Sequence, residues 1–303
     1  MSHGPIRTTM AGLLLTLAGC SAGDAGAEPA DTGLPQIVRV GLIPNIAPQE
    51  QKAKYGPLAG YLETALDREV ELFVASDYAG VVAALASEQI DVAYLGGLTY
   101  VQAEEQVDLT PLVTEIDALT GTPQYDSAIV VAADSPVQST DELVAGGGGF
   151  AFGDPASTSG SLYPRIMITD AGATCDPLTL TSCPPLESVV FTGGHDATAQ
   201  AVLGGTVEGG GVELRILRRL ESEGKVPEGA LRTIETRRVQ GYPWVGRTAL
   251  GAGALGQVTQ AFLDIEDQEL LDLLRATDYV QVAPEDYDEI RTTATELGLL
   301  TPA

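Results

Sequence analysis

Short apolar runs alternate along most of this 303-residue chain with stretches whose apolar residues recur three or four positions apart. These are the two periods that separate strand from helix. Ile37-Val38-Arg39-Val40-Gly41-Leu42-Ile43 predicts a strand and 49–66 a helix. Strand, helix and strand follow at 71–74, 78–86 and 91–95, with further strands at 110–113 and 128–133. Asp134-Ser135-Pro136 interrupts the pattern before a helix at 140–145. The alternation then resumes with a buried strand at Gly149-Phe150-Ala151-Phe152, a helix at 162–168, a strand at 188–191 and helices at 197–203 and 212–220. A strand at 231–236 precedes three closing helices, at 255–265, 268–276 and 285–297. Such spacing predicts an α/β fold with parallel, layered sheets. The break at 134 and a return near 240–247 predict two lobes, one of 36–133 with 240–303 and one of 134–239.

Open α/β sheets bind ligands beyond the carboxyl ends of their strands, so the polar strand-to-helix turns hold the candidates. Three turns qualify: Asp77-Tyr78, Gly153-Asp154-Pro155-Ala156-Ser157-Thr158-Ser159-Gly160, and Thr192-Gly193-Gly194-His195-Asp196. The second sets three consecutive hydroxyls where a strand becomes a helix. The first N–H groups of a helix lack partners and lie at the positive end of its dipole. Small Ser, Thr and Gly residues let those amides reach a ligand, so a compact oxyanion fits there without Lys or Arg. Ser157 alone would serve as an N-cap; three hydroxyls beside a glycine exceed what a cap needs. His195 opens another helix, and the neighbouring Asp196 reads as a cap, an orienter of His195 or a further contact. If the two lobes face each other, these groups converge on one cleft that closes around a ligand.

A net charge of −26 excludes the basic footprint of a nucleic-acid binder. It does not exclude a buried anion, because salt limits long-range repulsion to about 8 Å. The first residues carry an export signal: Arg7, an apolar core at 11–18 too short to span a bilayer, and small residues in Leu17-Ala18-Gly19-Cys20. The arrangement resembles a bacterial lipoprotein signal, which implies that 1–19 is removed and that lipid on Cys20 is the only membrane attachment. Residues 20–35 have almost no large apolar side chain and read as a flexible tether. Cys175 and Cys183 flank a short Thr/Pro/Leu segment and are expected to form a structural disulfide in an oxidising compartment. The region offers too few ligands for a metal, and neither metal nor cofactor is expected.

Three segments, VASDYAGVVAALASEQIDVAYLGGLTY, GDPASTSGSLYP and FTGGHDATAQAVLGGTVEGG, resemble in order the phosphate/phosphite/phosphonate substrate-binding proteins of bacterial ABC importers. The resemblance runs from about Val38 to Ile290. It implies a two-lobed periplasmic-binding-protein (type 2) clamshell, outside the cytoplasm, that hands a small phosphorus oxyanion to a permease driven by an ATPase. By position it implies Tyr78 and Tyr125 as contacts from the first lobe. Ser157, Thr158 and Ser159 would grip from the second, and His195 would complete the cage. The chemistry agrees, since hydroxyls and an imidazole N–H donate without carrying full charge. Several are needed to replace the water around a buried anion. A monomer is expected. One departure concerns the ligand. Where relatives that take aminoalkyl phosphonates tend to carry an acid near the returning crossover, this chain has Gln240-Gly241-Tyr242-Pro243-Trp244. Tyrosine does not neutralise an ammonium, which favours phosphite, methylphosphonate or phosphate over 2-aminoethylphosphonate and makes Tyr242 a further candidate contact. The register of Glu213 against the family is open.

Other classes fit the residues less well. A Ser159–His195–Asp196 hydrolase lacks the Gly-x-Ser-x-Gly elbow. Gly251-Ala252-Gly253-Ala254-Leu255-Gly256 matches the dinucleotide fingerprint in letters but lacks the opening βαβ unit. No enzyme is expected, although the fold alone does not exclude catalysis. A sensory adaptor that presents its ligand to a membrane receptor is the second reading.

Overall fold

The computed structural model describes residues 1, 4, 33–177 and 181–300. Apart from residues 1 and 4, the expected signal sequence lies outside them, as do Cys20 and all but the end of the tether. Period-two burial makes β1 (Ile37–Leu42) a core strand, with Val38, Val40 and Leu42 enclosed. Helix α1 (Pro48–Leu66) starts on a proline, whose fixed φ suits a first turn. Next come β2 (Glu69–Val74), α2 (Tyr78–Ala86), β3 (Val92–Tyr94), α3 (Gly97–Ala103) and β4 (Leu109–Asp117). Then follow β5 (Gln124–Ala132), α4 (Thr140–Gly146), β6 (Phe150–Phe152) and a wide π turn, Thr158–Leu162, that runs into α5 (Tyr163–Asp170). The chain continues through β7 (Val189–Phe191), α6 (His195–Leu203), β8 (Gly209–Glu213), α7 (Leu214–Ser222), β9 (Leu231–Gln240) and β10 (Trp244–Arg247). Helices α8 (Ala252–Leu263) and α9 (Gln268–Leu274), strand β11 (Ala276–Gln281) and helix α10 (Asp288–Glu296) complete it.

The strands form two sheets, ordered β11-β4-β10-β3-β1-β2 and β7-β6-β8-β5-β9. Each contains a parallel trio, β3-β1-β2 in the first and β7-β6-β8 in the second. The remaining pairings are antiparallel, so the sheets are mixed where wholly parallel ones were expected. The cause lies at the crossings. The chain passes between sheets twice, from β4 to β5 and from β9 to β10, without a crossover helix, and the paired strands there run in opposite senses. The two connections are tied side by side, Gly241 N–H donating to the Pro123 carbonyl and the Thr114 hydroxyl to that of Tyr242.

Sheet membership corrects the expected boundary at 133/134. β5 pairs along its length with β8 and β9, so the first crossing falls in 118–123, one strand earlier. A local pattern identifies β5 as a strand but says nothing of which sheet takes it up. The expected helix at 212–220 is also divided, because 209–213 is strand β8 at the centre of the second sheet. Glycines hide it. A Cβ on Gly211 would lie 2.4 Å from Pro164 Cγ, so only glycine lets α5 pack flush against this strand. Cys175 and Cys183 are bonded to each other. Among the described residues, no helix is long and apolar enough to cross a membrane.

Candidate ligand-binding site

The parallel trio of the second sheet ends along one edge, and each strand delivers part of the site. After β6 the turn closes by a hydrogen bond from Gly153 N–H to the Gly160 carbonyl, and Ser157 Oγ accepts from Gly160 N–H at 3.0 Å. Ser157 is therefore a cap, and its hydroxyl also lies against the Tyr78 phenol. Gly160 has no room for a side chain. A Cβ there would sit 3.0 Å from His195 Cε1 and 2.9 Å from Ser157 Oγ. After β7, His195 is the first residue of α6; after β8, Glu213 donates its backbone N–H to His195 Nδ1 at 3.2 Å. That bond makes Nδ1 the acceptor and places the imidazole hydrogen on Nε2. Burial lowers the His195 pKa, against the pull of Glu213 and Asp196, so the ring is a neutral donor.

Three polar atoms here are enclosed and lack a hydrogen-bond partner among the described residues: His195 Nε2, Ser159 Oγ and Tyr125 Oη. Tyr125 lies near the Ser159 hydroxyl, which opposes the upward push that burial gives its phenol, yet neither oxygen reaches hydrogen-bond geometry. An unpaired buried polar group costs about 1–3 kcal/mol, so natural proteins keep few of them. Three in one place define a donor set for something else.

The facing wall comes from the parallel trio of the first sheet. Tyr78, at the start of α2, is 1% exposed, and its phenol is pushed well up by burial and by Asp154, with Ser157, Tyr125 and Glu213 close by. The lobes meet through backbone groups at these strand ends. Tyr78 N–H donates to Asp154 Oδ2 at 3.3 Å, Ala47 N–H to Asp196 Oδ2 at 3.1 Å and Leu98 N–H to Thr158 Oγ1 at 2.9 Å. His195 N–H donates to the Asn45 carbonyl at 3.0 Å. The structure thus draws Tyr78, Tyr125, Ser157, Ser159, His195 and Tyr242 together. It turns the acceptor side of Thr158 and the Asp196 carboxylate to the opposite lobe. Tyr125, expected from the first lobe, stands on β5 and belongs to the second sheet. Tyr242 stacks on Tyr94 with ring centres 5.0 Å apart.

Sequence reasoning named Glu213 with its register open and left out the other charged groups beside these donors, Arg215, Glu115 and Asp117. Glu213 is fully buried; its Oε2 accepts from the Tyr242 hydroxyl at 2.6 Å and its Oε1 from Arg215 Nε at 2.5 Å. Burial works to raise its pKa, but the Arg215 guanidinium, helped by the Tyr242 hydroxyl, holds the carboxyl below the usual range. From the first sheet, Glu115 approaches Arg215 at 2.6 Å and Asp117 at 3.5 Å. The available signal was the position of Glu213 at the carboxyl end of a central strand, masked because β8 reads as glycine loop and helix. Among the described residues, no group of three or more His, Cys, Asp or Glu is arranged to hold a metal.

Two α/β lobes joined by paired strands, with a buried donor set where their strand ends meet, define a two-lobed solute-binding clamshell. Residues 40–287 match the family described as ABC transporter, phosphonate, periplasmic substrate-binding protein, and the chain belongs to it. It is 29% identical to the phosphate-import protein PhnD of Mycolicibacterium smegmatis, over 96% of this chain and 95% of that one. Over 87% of this chain and 91% of its relative, it is 22% identical to a probable ABC transporter phosphite binding protein, PhnD1, of Prochlorococcus marinus. The solved structure of PhnD1 from that organism in complex with methylphosphonate has the same fold, with a TM-score of 0.77 at 21% identity over 88% of this chain and 99% of the other. A binding protein component of an ABC phosphonate transporter from Pseudomonas aeruginosa also gives 0.77, at 22% identity over 86% of both chains.

Proposed function

We propose that this protein captures a small phosphorus oxyanion between its lobes and delivers it, outside the cytoplasm, to the permease of an ABC importer. The observation that carries the reading is the set of unpartnered buried donors, His195 Nε2, Ser159 Oγ and Tyr125 Oη. Ser157 and Tyr78 complete the ring of neutral donors around the guest, and closure withdraws it from the acidic exterior. Phosphate, phosphite and methylphosphonate fit this chemistry, and the relatives' names, phosphate import, phosphite binding and phosphonate transport, point the same way. In this reading the mature protein is a monomer tethered by lipid on Cys20, and an ATPase powers the permease. Catalysis has no support in the geometry. A hydrolytic triad needs His195 Nδ1–H to meet a carboxylate; here Nδ1 accepts from a backbone amide, and Asp196 faces Ala47.

Calorimetric titration with phosphate, phosphite and methylphosphonate tests the proposal. Ser159→Ala and His195→Ala should each weaken binding by about 1.5–3 kcal/mol, the worth of a hydrogen bond to a charged group. Full affinity in both variants rules the site out.

A further inference from the structure

A cleft for anions that encloses a fully buried carboxylate needs an account. Left alone, the Glu213 charge would cost far more than the fold gains and would repel the guest. Both of its oxygens are taken, one by Arg215 and the other by the Tyr242 hydroxyl. Arg215 in turn is held from behind by Glu115 and Asp117 of the opposite lobe. Beyond Glu213 runs a narrow cavity lined by four cations, Lys54, Arg215, Arg219 and Arg275, with Glu213 the only carboxylate in its wall among the described residues. Burial, then Arg219 and Arg215, push the Lys54 ammonium down to about 7, a sign of how unwelcome one more positive charge is there. Arg219 has two guanidinium nitrogens, Nε and Nη2, enclosed without a hydrogen-bond partner among the described residues, and its ion partner Glu223 stands 3.5 Å from Nε.

We propose that Arg215, by occupying the Glu213 carboxylate, makes this cleft select against positive charge on the ligand. The site takes phosphorus oxyanions with no substituent or a neutral one and rejects those that carry an ammonium. The inference rests on the phosphorus-oxyanion reading of the site and deepens it. An ammonium group entering beside Glu213 meets a carboxylate whose two oxygens are already hydrogen-bonded, with Lys54, Arg219 and Arg275 lining the cavity beyond it.

The test compares 2-aminoethylphosphonate with propylphosphonate, a pair of nearly equal size that differs in the terminal charge, by calorimetry on the full mature chain. The wild type should bind propylphosphonate at least tenfold more tightly. Arg215→Gln frees Glu213 and should shift the ratio of the two affinities tenfold or more toward the ammonium ligand, whatever it does to closure and to both affinities in common. Glu213→Gln in that background should abolish the shift. Lys54→Met, on a half-buried helix position, should move the ratio the same way by a few fold and serves if Arg215→Gln does not fold. An unchanged ratio in Arg215→Gln and Lys54→Met, with methylphosphonate still bound, overturns the inference alone. A wild type that binds methylphosphonate, phosphite and phosphate not at all overturns the oxyanion reading itself.

Discussion

Two groups of polar atoms lie side by side between the lobes and are finished to different degrees. Around Ser159, Tyr125 and His195 the donors are neutral, enclosed and unspent. A few ångströms away, around Arg215, the principal groups are charged and bonded to one another across the cleft. The difference separates two tasks that a closing protein must perform. Unspent neutral donors contribute nothing until a guest arrives, so their free energy appears as affinity. The charged network has its ion pairs to Arg215 in place without a guest, although Glu115 Oε2 and Asp117 Oδ2 accept no hydrogen bond among the described residues, so most of its free energy appears as stability of the closed arrangement. A buried charge cannot be left waiting in this way, because an uncompensated ion costs several kcal/mol where an unmade hydroxyl bond costs one or two.

Deleting one member from each group tests this division most strongly. Arg215→Ala strands Glu213, Glu115 and Asp117 without their cation and should destabilise the protein by about 3–5 kcal/mol in denaturant unfolding. Ser159→Ala removes a hydroxyl with no hydrogen-bond partner among the described residues and should change stability by no more than about 0.5 kcal/mol. Comparable losses in the two variants would mean that the donors are structural after all.

How far these groups were legible from residues alone follows the same line. The Ser-Thr-Ser turn and the histidine at a helix start declare themselves locally, because small residues and glycines beside a strand end form an anion site within a few positions. Tyr78 was found the same way, at the first position of α2. Arg215 was not, since its partner Glu115 lies 100 positions earlier on the other sheet. Ion pairs of that reach depend on which strands pair, and pairing is where local reading failed: β5 was placed one sheet too early, and β8 vanished into its glycines. Strand β11 was missed for a related reason. Its alternation of Tyr279 with exposed neighbours is short and is recognised only by its register against β4. Most helices needed no such information, and α2 agrees with its expected limits residue for residue, but α3 was not expected and α7 begins only after β8 ends.

A milder probe addresses the point where the groups touch, the imidazole of His195 against the Glu213 amide. The fold holds this ring below its ordinary pKa, chiefly by burial. As pH falls, the unfolded chain therefore takes up the proton first. The stability that the neutral ring contributes is complete above roughly pH 6.5 and drains away on acidification toward the lower folded value. Thermal midpoints of the wild type and His195→Gln should differ most at neutral pH and converge as the solution is acidified below that point. A constant gap would show that the ring is not held neutral by the fold, and the donor assigned to Nε2 would lose its basis.

The smallest expected effect comes from an interlobe pair that resembles the Arg215 network in formal charge but not in setting. Lys225, just after α7, bonds Glu50 of α1 across the lobes, and the two side chains are 41% and 45% exposed. Water and salt already solvate both partners, and fixing two long side chains costs entropy, so such pairs are worth about 0–1 kcal/mol. Lys225→Ala should therefore lower stability by about 0.5 kcal/mol or less, and the loss should shrink further as salt rises toward 1 M, where screening acts within about 3 Å. Ligand affinity should hardly move, because Glu50 and Lys225 lie away from the donor set. A loss approaching that of Arg215→Ala would mean that closure is governed by charge across the cleft wherever it occurs. A small, salt-sensitive loss locates the governing charges in the enclosed network, where removing water is what makes one guanidinium decisive.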